Sequence, residues 1–577
     1  MAFKCRVIKD SQIATTEQNW LAAQRRKLKR WVSLAIAPAF LISVGATGQE
    51  GAYAAPADES DGFVRTIVTT DPELDDLNSM LRMLLYSNEI TIDGLVYSAS
   101  THHYMGDPDE GIEPHRWPAP GDKLHIDTAV DAYAEVYDNL KVHDPNYPSP
   151  SELREKIAVG NVKYEGDMSE DTEGSELIKE VLLEETDDVI HLQVWGGPNT
   201  VARALKSIEE QFADTEEWPV IKSHVSDKAI MTAFGQQDDT FTEYIRPNWP
   251  DIEFREVATS IWGYGARNVA LPGTEKYLSA EWTRDNVSSV GPIGAEYRVW
   301  GDGKQMAEGF DDEDYFGLSG YDVEELEEMG YWVWMPPQEK DSWISEGDSS
   351  NFALILDNGL RSYEAPGFGG WGGRQAPLED DPNSYSNRAT ADKNAEGDEP
   401  DDYSAARWFE AFQHDFAARL QWSVSDSFDE ANHQPEPVVE EGLDLNRVPG
   451  EEVVLHGSAE DPDGDDVHLE WWQYEEAGTY DGIIDVRSDD GIASFSIPDD
   501  AQSGDTLHFI LEATDDGVPN LTQYQRVVIT VSEPIEDGDE SDEDEESRPD
   551  DPDSEEGSSD DGETPAIPQP VEPTFTG

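Results

Sequence analysis

Five short apolar runs constrain the fold of this chain more than any other feature of the sequence. They are rich in β-branched and aliphatic side chains and lie at 63–70, 91–98, 189–196, 229–235 and 352–357. Uninterrupted apolar runs of this length are typical of strands buried on both faces of a parallel sheet. Helical patterns, such as Leu77, Met80, Leu81 and Leu84, lie between them. We therefore predict an α/β domain over 61–430, with a mostly parallel, doubly wound sheet.

The pattern changes near residue 435. Short segments of alternating apolar residues, separated by turn residues, lie at 451–474, 493–500 and 507–531. This spacing predicts a small, all-β, immunoglobulin-like sandwich over 435–532. Residues 533–577 contain almost nothing to bury, and we expect a disordered acidic tail there.

The first 55 residues have the features of an export signal followed by a linker. A basic stretch at 25–30 precedes an apolar run at 31–48, and small residues suited to cleavage follow at 52–55. We therefore expect a secreted protein, extracellular or periplasmic, with a retained membrane anchor as the alternative. The Arg25-Arg26 pair matches a twin-arginine signal only loosely.

The formal net charge of −86 excludes several classes of partner. A field of this sign repels nucleic acid and anionic membrane surfaces, so we expect neither a nucleic acid polymer nor, after signal removal, a membrane as partner. Salt that shortens the Debye length to about 3 Å at 1 M makes such self-repulsion tolerable. This favours a halophilic protein over a generally acidic secreted one. Acidic clusters are common by chance in such a chain, so spacing must support any candidate site.

Three carboxylates follow the first predicted strand: Asp71, Asp75 and Asp76. Ligands of open α/β folds bind at this carboxyl edge of the sheet. The dipole of the predicted helix at 74–86 would stabilise an acid in its first turn by about 0.3–1 kcal/mol. That accounts for one acid but not for three that converge on one turn. A hard cation with oxygen ligands, Ca²⁺ above all, would offset their repulsion.

The segment TTDPELDD resembles the Asp-x-Asp-Pro-Gly-x-Asp-Asp signature of the nucleoside hydrolases. The resemblance implies that Asp71 is both a calcium ligand and the general base. It further implies that Asp76 is a second ligand and that Asp75 binds the sugar diol. Two departures from the signature are Thr69 in place of the first Asp and Glu73 in place of the Gly.

Two later segments resemble the same family. QVWGGPNTVARAL is similar to a turn in which the residue before the glycines lends its backbone carbonyl to calcium, and that residue is Trp195 here. In SEGDSSNFALIL, Asp348 stands in place of the late calcium-binding Asp. The family's catalytic His before that Asp is replaced by Glu346 and Gly347. Either Glu346 substitutes for it, another group does so, or the leaving group differs.

The resemblance also extends to the sugar pocket. Thr101 aligns with a sugar-binding Asn, which is a further departure from the family pattern. His102 and His103 follow it and are either structural, metal ligands or leaving-group acids. Gln237 and Asp238 lie in a Gly-initiated loop after a strand, where polar groups suit hydroxyl recognition; a helix N-cap is the alternative.

A closer resemblance covers residues 61–532. Motifs found in one order throughout this range resemble a set of secreted bacterial proteins that pair a nucleoside hydrolase-like domain with a C-terminal domain named as cellulose-binding. The motifs lie at 234–245, 367–374, 406–422, 431–435 and 461–480. The resemblance implies that cellulose or another polysaccharide is a candidate partner.

The predicted sandwich has two candidate features of its own. Its acids, which are Asp461, Asp463, Asp465, Asp515 and Asp516, suit either tight turns or Ca²⁺. Its aromatic residues Trp471, Trp472 and Tyr474 suit a sugar-stacking platform. Adjacent strand residues point to opposite faces, however, so at least one of the two tryptophans is expected in the core.

The sequence thus predicts a Ca²⁺-dependent hydrolase of N-ribosyl or related glycosidic bonds, acting on a nucleoside or a carbohydrate. The main alternative is a polysaccharide-binding protein on a catalytically lapsed hydrolase fold. A third interpretation is a calcium-dependent surface protein that needs Ca²⁺ to fold but turns over no glycoside.

Overall fold

The computed structural model describes residues 63–533 of the 577-residue chain. The predicted export signal at 1–55 lies outside the described residues, and so does the predicted tail apart from residue 533. Within 63–533, no helix combines the length and the apolar character that crossing a membrane requires.

Eight strands of the first part form one sheet. They are β1 Val64–Thr70, β2 Ile90–Tyr97, β3 Ile157–Val159, β4 Ile190–Val194, β5 Ala229–Ala233, β6 Glu253–Glu256, β7 Ala376–Leu378 and β8 Asp381–Ser386. Their order is β3-β2-β1-β4-β5-β6-β8-β7. All neighbours are parallel except β7 and β8. The predicted, mostly parallel sheet is therefore confirmed.

Helices cover both faces of this sheet. Within 63–533 the α-helices are α1 Leu74–Leu84, α2 His125–His143, α3 Pro150–Glu155, α4 Glu173–Leu182, α5 Asn199–Phe212, α6 Trp218–Lys228, α7 Arg246–Asn248, α8 Ala266–Val269, α9 Ala280–Thr283, α10 Gly291–Glu296, α11 Val323–Glu328, α12 Ser349–Ala353, α13 Tyr403–Ala406 and α14 Phe409–Val424. Helices α1, α2, α12 and α14 share one apolar core, and α4, α5 and α6 share another. This is the doubly wound arrangement that alternating strands and helices predict.

One predicted strand is wrong. The apolar run at 352–357 is not a strand, because Ser349–Ala353 form helix α12 and no regular strand follows. Phe352 to Leu356 are all buried. A short apolar run that is buried on every side has no periodicity that distinguishes a helix from a strand.

The second part is a sandwich of two four-stranded sheets. Its strands are β9 Glu436–Val439, β10 Asp444–Arg447, β11 Glu452–Glu460, β12 His468–Gln473, β13 Arg487–Asp489, β14 Ile492–Ser496, β15 Thr506–Thr514 and β16 Thr522–Val531. One sheet has the order β10-β16-β15-β12 and the other β13-β14-β11-β9. Trp471, Leu455 and Phe509 pack in the core between them. Trp471 is therefore the core tryptophan, and the predicted all-β part is confirmed.

The β10-β16-β15-β12 sheet packs against the α/β part. Phe412 of α14 belongs to the same apolar cluster as Tyr474, Ile510 and Tyr524 of the sandwich. The two backbones also meet directly, since a Cβ at Gly359 would lie 1.7 Å from the carbonyl oxygen of Tyr524. This sheet face is consequently an internal surface of the protein.

Arg526 of β16 donates hydrogen bonds across this contact. Its guanidinium is buried and donates to three backbone carbonyls of the α/β part. The acceptors are Leu360 at 2.6 Å, Phe368 at 2.8 Å and Gly369 at 2.9 Å. The backbone N–H of Arg526 also donates to the carbonyl of Gly359 at 3.0 Å, so this one residue supplies donors to four carbonyls of the segment 359–369.

We expect Arg526→Met to lower the free energy of unfolding by about 2–4 kcal/mol, because losing the partner of a buried acceptor costs about 1–3 kcal/mol. Chemical denaturation of the full chain measures this. The control is Arg447→Met, which removes a surface ion pair with Glu451 at 3.4 Å and an exposed hydrogen bond to the carbonyl of Asn446 at 2.8 Å and should cost about 0–1 kcal/mol. Equal losses in the two variants would contradict this role for Arg526.

Candidate functional site

The candidate site lies where the strand order of the sheet reverses. Strands β1 and β4 are neighbours in the sheet, and from them the order proceeds to β2 on one side and to β5 on the other. Asp71 follows β1 directly, and Trp195 follows β4 directly. The Trp195 N–H donates to the carbonyl oxygen of Thr69 at 2.8 Å. Such a reversal leaves a crevice at the carboxyl ends of the strands, which is the usual ligand position in this class of fold.

Asp71 is completely buried, and only one of its oxygens has protein partners. The hydroxyl of Ser100 donates to Oδ2, and Nδ1 of His103 lies 3.3 Å from the same atom. No donor among the described residues reaches Oδ1. Burial raises the pKa of Asp71, but the hydrogen bonds and charge of its partners outweigh burial and lower that pKa below its usual value. Asp71 is thus an oriented carboxylate with one free oxygen.

Gly196 allows this arrangement. A Cβ added to Gly196 would lie 3.0 Å from both Cγ and Oδ1 of Asp71, which is tighter than ordinary van der Waals contact. The turn after β4 therefore approaches the carboxylate of Asp71 as closely as only glycine permits.

Asp76 and Asp348 are brought to the same place from distant parts of the chain. The backbone N–H of Asp71 donates to Oδ1 of Asp76 at 3.2 Å, and the hydroxyl of Thr70 donates to it as well. Oδ1 of Asp348 is buried without a donor among the described residues. Burial raises the pKa of Asp76 and of Asp348 well above the usual value. The charge of Asp348 raises the pKa of Asp76 further, and the charge of Asp71 raises the pKa of both.

Asp75 and Glu73 form the next part of the cluster. Oδ2 of Asp75 accepts from the hydroxyl of Ser345 at 2.9 Å. The hydroxyl of Tyr264 lies 3.2 Å from Oε1 of Glu73 and 3.5 Å from Oδ1 of Asp75. Both oxygens of Asp75 thus already have protein neighbours, which a sugar diol would have to share. Burial and the neighbouring acids also raise the pKa of Asp75 and of Glu73.

This donor set fits a hard divalent cation. Ligand atoms of Glu73, Asp75 and Asp76 lie within 4.8 Å of one another, and so do those of Asp71, Glu73 and His103. In the described part of the chain, no lysine or arginine pairs with Asp71, Asp75, Asp76 or Asp348. Buried carboxylates without a positive partner are strongly unfavourable. Oxygen atoms lacking donors, in a cluster of this charge, are what Ca²⁺ binds.

The Trp195 carbonyl also reaches this region. Nε2 of Gln237 donates to it at 2.6 Å, and the carbonyl of Gln237 accepts from the N–H of Thr101 at 2.7 Å. A carbonyl oxygen has two lone pairs, so the Trp195 oxygen retains one acceptor position. Oε1 of Gln237 has no donor among the described residues. Gln237 therefore links the turn after β4 to the loop after β2.

Thr101 and Asp238 have other partners. The hydroxyl of Thr101 is exposed and donates to Glu165 at 2.7 Å. Oδ1 of Asp238 accepts from the backbone N–H of Thr240 at 2.8 Å and from its hydroxyl at 2.5 Å. Burial raises the pKa of Asp238 to about 6. The helical turn that follows, Phe241–Ile245, has Thr240 and not Asp238 at its N-cap, so Asp238 holds Thr240 without capping a helix.

Glu346 is part of a buried ion pair. Its Oε2 lies 2.6 Å from Nε of Arg82, and both side chains are fully buried. The hydroxyl of Tyr297 donates to Oε1, and the hydroxyl of Ser349 donates to Oε2 at 3.0 Å. Because these donors fix both of its oxygens, the carboxylate of Glu346 cannot turn toward a leaving group.

Sequence reasoning missed Ser100 and Tyr264, and it gave His103 no definite role. Ser100 follows β2 closely, so its position after a buried strand was a usable signal. Tyr264 lies in an irregular segment between β6 and α8, where no periodicity marks a side chain as part of a site.

Two protein-family models match the chain. One, described as cellulose-binding Sde182, nucleoside hydrolase-like domain, matches residues 65–375. The other, described as the C-terminal domain of cellulose-binding protein Sde0182, matches residues 452–531. No curated protein matches the chain.

Solved structures support the fold. A nucleoside hydrolase-related hypothetical protein from Saccharophagus degradans, described as associated with carbohydrate metabolism, is 24% identical with a TM-score of 0.60. The match covers 82% of this chain and 100% of that one. At this identity the likeness establishes the fold alone. The titin M3 domain, with 15% identity over 17% of this chain and 96% of its own, has a TM-score of 0.13, too low to support an argument.

If the acids share a cation, Asp348→Asn should have opposite effects with and without calcium. In EDTA the variant should melt at a higher temperature than wild type, because one repelling buried charge is gone. Added Ca²⁺ should then raise the melting temperature of wild type much more than that of the variant. Differential scanning calorimetry of the full chain measures both effects.

Asp392→Asn is the matched control for this experiment. Asp392 is also buried, but Arg374 pairs with it at 2.6 Å. Its substitution should lower the melting temperature in both buffers and leave the calcium-induced shift unchanged. A calcium-induced shift that is equal in wild type and Asp348→Asn would contradict a shared cation.

Proposed function

The chain belongs to the family of cellulose-binding Sde182 proteins with a nucleoside hydrolase-like domain, and from this we propose that it is a secreted, Ca²⁺-dependent hydrolase of N-ribosyl or related glycosidic bonds. The observation that carries the proposal is the buried set of Asp71, Asp76 and Asp348 at the reversal of strand order. Three mutually repelling buried carboxylates destabilise a fold unless a cation compensates them.

Asp71 is the proposed general base. Ser100 and His103 hold its Oδ2, so the carboxylate presents Oδ1 in a fixed direction. A base in a defined orientation is what proton abstraction from an attacking water requires. A bound Ca²⁺ would lower the pKa of that water and hold sugar hydroxyls. Asp71, Asp76, Asp348 and the Trp195 carbonyl are the proposed ligands.

The neighbouring residues have proposed roles in binding the sugar. Asp75 and Gln237 accept hydrogen bonds from hydroxyl groups, and the surrounding carboxylates stabilise positive charge that develops at the anomeric carbon. A single displacement by water would invert that centre. Glu346 is assigned no catalytic role, because its ion pair with Arg82 occupies it. Another residue must therefore protonate the leaving group, or the leaving group must depart without protonation.

The second candidate function is polysaccharide binding without turnover. The family description supports it, and so does the position of Thr101, whose hydroxyl is turned to Glu165 rather than to the acids. Cellulose or another polysaccharide would then be the partner. A calcium-dependent structural role is the third candidate and requires no turnover either.

A screen of nucleosides and glycosides at high salt tests the hydrolase. We expect wild type to turn over at least one substrate, and Asp71→Asn to lower kcat by about 10²–10⁴-fold, the usual contribution of a positioned general base. Asp131→Asn is the control, because Asp131 is an exposed acid that pairs with Lys123 and Arg154. Turnover that Asp71→Asn leaves unchanged would contradict the assigned base; no turnover in wild type would favour the binding protein.

A further inference from the structure

Residues 299–344, here called the arm, carry an unusual concentration of exposed aromatic side chains. Trp332 and Trp334 are 61% and 39% exposed, and every other tryptophan of the described range is buried or half-buried. Phe310 is 66% exposed, and its ring lies 5.1 Å from that of Tyr331. Exposed aromatic side chains that lie close together in so acidic a chain indicate a binding surface.

The arm is held firmly beside the acid cluster. Trp300, Tyr315 and Phe316 form its small apolar core, and this core includes Leu74 at the start of α1. Leu74 is the residue next to Asp75, so the arm packs on the same turn that positions the acids. Its exposed rings are therefore placed by a folded core.

A row of aromatic rings connects the arm to the acids. The ring of Trp334 lies 5.0 Å from that of Tyr264, in an edge-to-face arrangement, and the ring of Phe316 stacks on Tyr264 at 5.4 Å. The hydroxyl of Tyr264 in turn lies 3.2 Å from Glu73. Packed rings thus connect the arm to Tyr264, which contacts the acid cluster.

A cavity of about 670 Å³ lies between the arm and the loop at 105–124. Phe310 lines one wall, and Trp117 lines the other. Arg116 joins the two walls through Asp311 at 2.8 Å and Glu313 at 2.9 Å. A volume of this size is within the usual range for small-ligand sites, about 300–1,000 Å³.

The charges of this cavity favour an uncharged ligand. Glu308, Asp311 and Asp312 line it, and the positive charge of Arg116 is already paired with two acids. Such a surface repels phosphorylated, sulfated or uronic ligands. Carboxylates accept hydrogen bonds from hydroxyl groups, and flat aromatic rings cover the C–H faces of sugar rings.

We propose that the arm and the loop at 105–124 form a binding groove for a neutral oligosaccharide, next to the turn that carries the acid cluster. The groove deepens the proposed function and rests on it for what happens to the bound chain. It makes the ligand of the acid cluster a carbohydrate rather than a free nucleoside. Binding itself requires only the groove.

Calorimetric titration with cellohexaose, xylohexaose and mannohexaose tests the groove. The host is the full chain carrying Asp71→Asn, so that hydrolysis does not interfere. We expect at least one of these glycans to bind, and Phe310→Ala together with Trp332→Ala to weaken it about tenfold or more, as loss of central aromatic contacts does. Both side chains are exposed, so melting temperatures should stay unchanged.

Phe63→Ala is the matched control, because Phe63 is also exposed but lies outside both the arm and the loop at 105–124. It should leave binding unchanged, and an oligogalacturonate should not bind. Binding that survives loss of Phe310 and Trp332, or no binding of any of the three neutral glycans, would overturn the proposal. A dimer that the two substitutions dissociate, with glycan binding intact, would overturn it in favour of a second copy.

Wild-type turnover distinguishes this proposal from the hydrolase itself. Loss of glycan binding in the doubly substituted chain supports the groove whether or not wild type turns over any glycoside. Absence of any turnover in wild type would count against the hydrolase alone, because the binding measurement uses the Asp71→Asn chain.

Discussion

Repulsion among buried carboxylates is the constraint on which the rest of this structure depends. Asp71, Asp76 and Asp348 are buried together at the edge of the sheet, and within 63–533 the only basic side chain that pairs with any of them is His103. Proteins bury acids in this way where a cation or a proton compensates them. The free oxygens of Asp71 and Asp348 are hard ligands, so we propose that a cation rather than a proton compensates these acids. The proposed hydrolase depends on that cation.

The fold supplies the rigidity that such a cluster requires. Adjacent parallel strands bring Asp71 next to the turn that follows β4, and Gly196 allows the backbone of that turn to approach the carboxylate. Beneath them, the ion pair between Arg82 and Glu346 fixes α1 against the segment that carries Asp348. Functional groups held by strand ends and by a packed ion pair keep their geometry better than groups on free loops.

Local features were predictable from residue patterns, whereas the long-range placement of Trp195 and Asp348 was implied only by the family resemblance. The spacing of Asp71, Asp75 and Asp76 after an apolar run identified one edge of the sheet, since strand and helix periodicities are local. The apolar run at 352–357 predicts a strand, but part of it lies in the helix Ser349–Ala353, because burial on all sides removes periodicity. The partner of Glu346 is 264 positions away, and Tyr264 lies in irregular structure, so only tertiary packing reveals their contacts with the site.

Equilibrium dialysis with radioactive calcium measures whether these acids bind a cation. We expect one tightly bound Ca²⁺ per wild-type chain and a much weaker affinity when Asp76 and Asp348 are both changed to Asn. Dialysis of a variant in which Asp461 and Asp463 of the sandwich are changed to Asn should still give one bound ion. No bound calcium in wild type, or equal affinity after loss of Asp76 and Asp348, would contradict a cation shared by these acids.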